Sequence, residues 1–256
     1  MKPIGIEIHP GHWKNPGSGA SGILNEVTEA RKVAKRVYDI LRSGGVPVSY
    51  FEDNTSTNQK QNLNTLVKYH NQDVNDLVVS IHFNSGGNPN KPIGTEVLYY
   101  DQKALAERLA KAISDATGGG LLNRGAKKRT DLAVLAQTYE PAVLIEVCFV
   151  NSSVDAAIYR RDFEKICQAI AECLAEYVGK PLKKKVTNVP NVQEQTKEAD
   201  EIMLTETARN EARELIRKAC KKGIFNAQYH TEERIKNYTD AQLISYAIIY
   251  LNRTAG

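Results

Sequence analysis

Hydrophobic positions along residues 1–178 alternate between two kinds of segment. Short runs rich in β-branched residues are typical of strands, and longer segments with apolar residues at three- and four-residue steps are typical of amphipathic helices. The predicted strands are PIGIEI (3–8), VPVSYF (46–51), DLVVSIH (76–82), GTEVLYY (94–100), LAVLA (132–136) and AVLIEVCFV (142–150). The predicted helices cover residues 24–45, 57–72, 101–120 and 154–180. Strands that alternate with helices predict an α/β domain.

Two of these strands are apolar at consecutive positions. The runs DLVVSI and AVLIEV do not alternate with polar residues, which is typical of central strands that helices cover on both faces. We therefore predict a three-layer α/β fold, in which a mixed, mostly parallel sheet of about six strands is flanked by helices.

The composition changes after this first domain, residues 1–179. Residues 180–201 combine prolines and a lysine triplet with very few large apolar residues, a composition typical of a linker. Helical periodicity returns beyond it, so residues 202–256 are predicted to form a small all-α C-terminal domain.

The overall composition excludes several classes of protein. Hydrophobic residues make up 41% of the chain and charged residues 25%, values that are ordinary for a globular protein. A net charge of +4 is too small for the concentrated basic face of a nucleic-acid-binding protein, so no nucleic-acid partner is expected. The four cysteines form no CxxC pair and are expected to be buried thiols. No apolar run is long enough for a membrane span, and no signal peptide is expected after Met1.

Four residues that carry candidate chemistry lie near strand ends or at a helix start. His12 follows the first strand, Glu26 opens the first helix, His82 ends the third strand and Glu146 lies within the last. In an open α/β sheet, such positions gather at the carboxyl edge. Two imidazoles and two carboxylates are the side chains of a catalytic zinc site with a separate base. Taken singly, each histidine is as well explained by a structural hydrogen bond, and Glu26 by the helix dipole.

Glu146 carries the strongest single signal. Apolar residues flank it on both sides, so either it faces a cleft or burial raises its pKa, and both arrangements suit a proton-transfer role. The competing interpretation is that strand alternation turns this carboxylate towards solvent beside a helix end.

Five segments in order resemble one family. They are IEIHPGHWKNPG, NEVTEARKVAKRVYDILRSGGVPV, DLVVSIHFNSG, GTEVLYY and PAVLIEVCFVNSSVD, and together they make the first domain similar to the zinc-dependent N-acetylmuramoyl-L-alanine amidases of the Amidase_3 type. This family includes bacterial autolysins and phage endolysins. The resemblance implies that His12, Glu26 and His82 bind Zn²⁺ and that Glu146 is the catalytic carboxylate. It implies hydrolysis of the amide between N-acetylmuramic acid and L-alanine in peptidoglycan.

Two further residues stand out against the family pattern. His9 replaces the acidic residue that the family usually has three positions before its metal-binding histidine. It is interpreted as a partner that orients His12, as a competing ligand or as a neutral filler. Arg124, in the glycine-rich basic segment 118–131, is a candidate for binding a carboxylate of the stem peptide. An ordinary surface loop explains that segment equally well.

Three functions are compatible with these residues. The first is an amidase acting in host cell lysis, most like a phage endolysin, made in the host cytoplasm and reaching the wall after holin-type release. The second is a zinc peptidase that cuts the stem peptide, and the third is a non-enzymatic wall-binding protein on an amidase scaffold. The helical pattern of residues 202–256 is equally compatible with a wall-targeting module and with a homodimerisation module.

Overall fold

The computed structural model describes residues 5–14, 18–182, 204–225 and 230–238, together with 240, 243–244, 246–247 and 250. The chain divides into two compact units, residues 1–183 and 184–256.

A six-stranded sheet forms the centre of the first unit. Its strands are β1 (Ile6–Pro10), β2 (Val48–Tyr50), β3 (Leu77–Asn84), β4 (Thr95–Tyr99), β5 (Asn123–Lys128) and β6 (Ala142–Phe149). Their order across the sheet is β2-β1-β3-β6-β4-β5. All neighbours are parallel except β4 and β6, which are antiparallel. The prediction of a mixed, mostly parallel sheet of six strands is confirmed.

Helices cover both faces of the sheet. They are α1 (Glu26–Ser43), α2 (Gln59–His70), α3 (Lys103–Ala116), α4 (Ala133–Gln137) and α5 (Ser153–Tyr177). The larger hydrophobic core joins α1, α3 and α5 to one face, which includes Ile6 and Ile8 of β1. A smaller core joins Leu66 of α2 and Val134 of α4 to the other face. Because side chains alternate along a strand, Glu7 and His9 lie on the face of the smaller core.

One predicted strand is wrong. The run LAVLA (132–136) lies in helix α4 instead. A run of five apolar residues is too short for its length or periodicity to distinguish a strand from a single buried helical turn. The fifth strand, β5, lies within the glycine-rich basic segment 118–131, where the sequence pattern predicts no strand. Its side chains are mostly exposed because it is an edge strand, and backbone pairing with β4 alone defines it.

A bulge interrupts the pairing of β4 with β5. Between two paired positions, β4 advances by two residues, from Thr95 to Val97, whereas β5 advances by three, from Asn123 to Ala126. Gly125 lies within the bulge at a φ of 73°, a left-handed conformation that glycine adopts without steric cost. The bulge changes the direction of the side chain beside it, which belongs to Arg124.

Helices also build the described part of the second unit. They are α6 (Glu206–Lys221) and α7 (Glu232–Lys236). Ala212, Ile216 and Ala219 of α6 form one apolar face and pack with Ile235 of α7. The predicted linker lies outside the described residues, apart from residues 180–182.

Two further expectations concern membranes and cysteines. Among the described residues, none of the helices combines the length and the apolar character that a membrane span requires. Cys148, Cys167 and Cys173 are buried free thiols, as predicted, whereas Cys220 is partly exposed and also free.

Candidate active site

Three of the predicted site residues come from neighbouring strands that end at one edge of the sheet. His12 lies two residues beyond β1, and His82 and Glu146 lie opposite each other near the ends of β3 and β6. Glu26 is the first residue of α1. The order β1-β3-β6 therefore brings together side chains that are up to 134 positions apart in the sequence.

The turn after β1 gives His12 an unusual backbone. Its φ is 63°, and among the described residues no other non-glycine residue has a positive φ. Such a conformation is strained for a residue with a Cβ and is a mark of functional positions. Gly11 before it has no room for a side chain, because a Cβ there would lie 2.1 Å from Cε1 of His82. The imidazole of His82 packs directly against this glycine.

The carboxylate of Glu26 lies at the centre of the site. Asn25 caps the N-terminus of α1 and places Glu26 in the first turn. Oε1 of Glu26 is 3.2 Å from Nε2 of His12 and 2.9 Å from Nδ1 of His82. Backbone N–H groups hold both oxygens, from Phe83 to Oε1 at 3.1 Å and from Ala20 to Oε2 at 2.6 Å. Burial alone would raise the pKa of Glu26, but the hydrogen bonds with His12 and His82 outweigh it and hold the pKa far below its ordinary value.

This trio can hold a metal ion. Each of His12, Glu26 and His82 offers one ligand atom, and the three atoms lie within 4.8 Å of one another. Two imidazole nitrogens and one carboxylate oxygen are a donor set of catalytic zinc sites, which leave a position open for water or substrate. Burial lowers the pKa of His82 more than the hydrogen bond and charge of Glu26 raise it, which favours the neutral ring that a metal ligand requires. The side chain of His12 is 24% exposed, which leaves the group accessible from solvent.

Glu146 is a carboxylate that favours its protonated form. Its Oε2 atom is buried and has no hydrogen-bond partner among the described residues. Burial, with smaller contributions from the charges of Glu26 and Glu96, raises its pKa from 4.5 to about 8, against the opposing charge of Arg129. A carboxyl group with a pKa near neutrality can both accept and return a proton. The expected desolvated carboxylate is therefore present beside the metal-binding trio.

Arg124 has an internal partner, Glu96. Its Nε donates to Oε2 of Glu96 at 2.7 Å, and its guanidinium lies over the ring of Phe149. Glu96 in turn lies opposite Glu146 in the antiparallel pair of β4 and β6. The other oxygen of Glu96 accepts from Nδ2 of Asn84 at 2.9 Å. Arg124 thus anchors a second acidic group next to Glu146, and its side chain remains 40% exposed.

The residues of this site lie within a part of the sequence that matches a known protein family. A family model of N-acetylmuramoyl-L-alanine amidases matches residues 6–176. The chain belongs to this amidase family. The resemblance noted on the five sequence segments is confirmed.

Relatives of this chain include cell-wall and phage proteins. The chain is 31% identical over 197 residues to the endolysin of Bacillus phage SPP1, a match that covers 70% of this chain and 67% of the endolysin. It is 28% identical over 186 residues to the probable cell wall amidase LytH of Staphylococcus saprophyticus, covering 69% of this chain and 59% of that protein. An uncharacterised protein of Clostridium perfringens is 34% identical over 180 residues, covering 68% of this chain. The chain spans about half the length of its two C. perfringens relatives.

Solved amidase structures share the fold of the first unit. The catalytic domain of the CD27L endolysin, which targets Clostridia difficile, superposes with a TM-score of 0.58 at 28% identity, covering 68% of this chain and 97% of that domain. The amidase AmiC2 of Nostoc punctiforme superposes with a TM-score of 0.58 at 27% identity, covering 69% and 97%. The predicted fold class is confirmed.

The structure places His9 outside the trio of His12, Glu26 and His82 that could hold a metal ion. Its ring is fully buried, and Nδ1 lies 2.8 Å from Nε2 of His70, whose Nδ1 lies 2.6 Å from Oε2 of Glu7. Sequence reasoning missed Glu7 and His70. One signal was available, since Glu7 and His9 alternate with Ile6 and Ile8 in a strand predicted to be buried, and buried polar residues require partners.

Proposed function

We propose that this chain hydrolyses the amide bond between N-acetylmuramic acid and L-alanine of peptidoglycan, with Zn²⁺ held by His12, Glu26 and His82. The observation that carries the proposal is the convergence of three ligand atoms within 4.8 Å beside a carboxyl group of raised pKa. Membership of the amidase family supports the substrate, and the donor set supports zinc.

Each residue of the site has its own role in the proposed reaction. Zinc bound by the trio would lower the pKa of its water and polarise the substrate carbonyl. Glu146 is the general base that takes the proton from the attacking water, and it then donates a proton to the departing amino group of L-alanine. Glu26 contributes Oε1 to the metal site between the two imidazoles, and backbone hydrogen bonds to Oε1 and Oε2 keep its carboxylate in place.

The biological setting extends the same proposal. The similarity to a phage endolysin supports a role in host cell lysis, with synthesis in the host cytoplasm and release to the wall by a holin. The second unit would then attach the enzyme to the wall or join two copies of the chain.

Product analysis tests the reaction. Purified peptidoglycan treated with the zinc-loaded protein is expected to yield new L-alanine amino termini and glycan strands that carry muramic acid without peptide. Glu146→Gln is expected to lower this activity by about two orders of magnitude or more, which is the contribution typical of a general acid–base group. The variant is expected to keep its zinc. Glu172→Gln, an exposed carboxylate on α5, is the matched control and should act like the wild type.

The other outcomes identify the alternatives. New amino termini other than L-alanine would show a zinc peptidase acting within the stem peptide. Binding to peptidoglycan without any hydrolysis would show a wall-binding protein on an amidase scaffold. Hydrolysis that persists in Glu146→Gln would contradict the role proposed for this carboxyl group.

A further inference from the structure

A chain of three buried polar side chains lies on the same sheet face as the active site. His70 of α2 is at its centre and contacts Oε2 of Glu7 through Nδ1 at 2.6 Å and Nδ1 of His9 through Nε2 at 2.8 Å. Both histidines are completely buried, and Glu7 is almost so. Burying polar groups of this kind costs free energy unless they are hydrogen-bonded to one another, so the fold requires these three side chains to be paired.

The chemistry of the three groups sets the direction of the hydrogen bonds. An ionised carboxylate only accepts, so His70 donates to Glu7 from Nδ1–H. The Nε2 atom of a neutral His70 is then an acceptor, and His9 donates to it from Nδ1–H. A neutral His9 is left with a lone pair on Nε2. This Nε2 atom is buried and has no hydrogen-bond partner among the described residues.

The pairing of β1 with β3 places this unpaired atom beside His82. His9 lies opposite Ser80 in the parallel register, and His82 follows two residues later on the same face. On β1, the next position on that face is Gly11, about 7 Å beyond His9. The imidazole of His82 fills the space that a side chain at Gly11 would take, since a Cβ there would lie 2.2 Å from Nε2 of His82. The ring of His82 is therefore the same-face neighbour of His9.

We propose that Glu7, His70 and His9 form a relay that positions His82 for metal binding, in which Nε2 of His9 accepts a hydrogen bond, through one water, from Nε2–H of His82. Nδ1 of His82 donates to Oε1 of Glu26, and a metal ion that replaced this proton would leave the neutral ring protonated on Nε2. Histidines that bind metals through one nitrogen commonly donate from the other to a fixed acceptor. The relay rests on the proposed function only for the identity of the metal.

Ser80 is the competing donor. Its hydroxyl is also buried without a partner among the described residues, and it lies next to His9 in the register. If the hydroxyl of Ser80 satisfied Nε2 of His9, the relay would stabilise the fold without any effect on His82. The variant Ser80→Ala separates the two arrangements, because it removes this donor and leaves the relay intact.

Nitrogen NMR of the histidine rings in the full-length protein, with and without zinc, tests the relay without any variant. The expected result is His9 protonated on Nδ1 in both states and His82 protonated on Nε2 once zinc is bound. A proton on Nε2 of His9 would overturn the proposal. The tautomer of His9 is read without zinc as well, so a wild-type chain that binds no zinc would contradict the proposed function and leave the tautomer of His9 to decide the relay.

Variants measure the effect on metal binding. His70→Phe is expected to weaken zinc affinity by about 10- to 100-fold and to mix the tautomers of His9. Glu7→Gln keeps an acceptor oxygen for His70 and should restore most of the affinity relative to Glu7→Ala, while Ser80→Ala should bind zinc like the wild type. Wild-type affinity in folded His70→Phe, or a loss confined to Ser80→Ala, would overturn the proposal. If His70→Phe does not fold, the tautomers of the wild type decide.

Discussion

Glu146 lies directly opposite His82 in the parallel pair of β3 and β6. One strand thereby presents a proposed metal ligand and its neighbour presents a carboxyl group whose unpaired oxygen is buried. Burial and the nearby charges of Glu26 and Glu96 make this carboxyl group costly to ionise, so its proposed role in proton transfer is coupled to the stability of the fold.

The first prediction concerns the pH dependence of stability in zinc-free protein. The pKa of Glu146 rises from 4.5 to about 8 on folding, chiefly through burial. The folded state therefore holds a proton that the unfolded state releases above pH 4.5, so the stabilisation is complete below that pH and is lost as the pH rises towards 8. Glu146→Gln does not titrate. We expect its melting temperature to exceed that of the wild type at pH 8.5 by a few degrees more than at pH 4.

The exposed Glu172→Gln is the control for this experiment and should melt like the wild type at both pH values. An equal difference between Glu146→Gln and the wild type at pH 4 and pH 8.5 would show that ionisation of Glu146 does not oppose folding.

The second prediction concerns Asp155, a buried carboxylate in the first turn of α5. Its two oxygens accept from the backbone N–H groups of Ile93, Gly94 and Phe149 at 2.9, 2.9 and 3.2 Å. Asp155→Ala would leave these donors without a partner, so we expect a loss of about 3 kcal/mol or more in the free energy of unfolding. Urea denaturation measures it. The control is Asp115→Ala, which removes an exposed i,i+4 pair with Lys111 and should change the free energy of unfolding by less than about 0.5 kcal/mol.

The four residues expected to carry the chemistry could be found from the sequence because three lie near the start or end of an element and the fourth interrupts an apolar run. His12 follows β1, His82 lies near the end of β3 and Glu26 follows an N-cap residue, whereas Glu146 lies within the apolar strand β6. Parallel strands bring such positions to one edge whatever their separation in the chain. Their roles as ligands and as general base remain predictions that the proposed variants test.

Other features depend on contacts that no local pattern encodes. His70 lies on the buried face of α2, and only the packing of this helix against β1 brings it to His9. Strand β5 has a polar sequence because its side chains lie at an exposed edge, whereas the apolar run of α4 fits a buried strand as well as a buried turn. The pairing of Arg124 with Glu96 likewise follows from the register of the edge strands and its bulge.

The third prediction concerns Arg124 and separates its two roles. If the exposed part of the guanidinium binds a carboxylate of the stem peptide, Arg124→Ala should raise KM for a soluble muropeptide about tenfold and leave kcat nearly unchanged. If Arg124 acts through Glu96 on Glu146, kcat should fall and KM should stay constant. Arg36→Ala removes an exposed pair with Glu164, remote from the site in the fold, and serves as the control.

The fourth prediction concerns the two units. A fragment of residues 1–183 should fold and hydrolyse a soluble muropeptide within about twofold of the full chain, because every proposed site residue lies within it. Cosedimentation with purified cell walls should be weaker for the fragment if residues 184–256 attach the enzyme. Equal cosedimentation, combined with a dimer of the full chain and a monomer of the fragment in analytical ultracentrifugation, would assign the second unit to dimerisation instead.

Zinc content tests the central claim most directly. Full-length wild type, His12→Ala and the control His230→Ala, which changes a histidine of the second unit, are saturated with zinc, freed of excess and analysed by mass spectrometry of the metal. The account predicts about one zinc ion per chain in the wild type and in His230→Ala, and loss of most of it in His12→Ala, because removing one of three protein ligands opens the site. A folded His12→Ala protein that retains zinc like the wild type would contradict the assignment of His12, Glu26 and His82 as the metal centre.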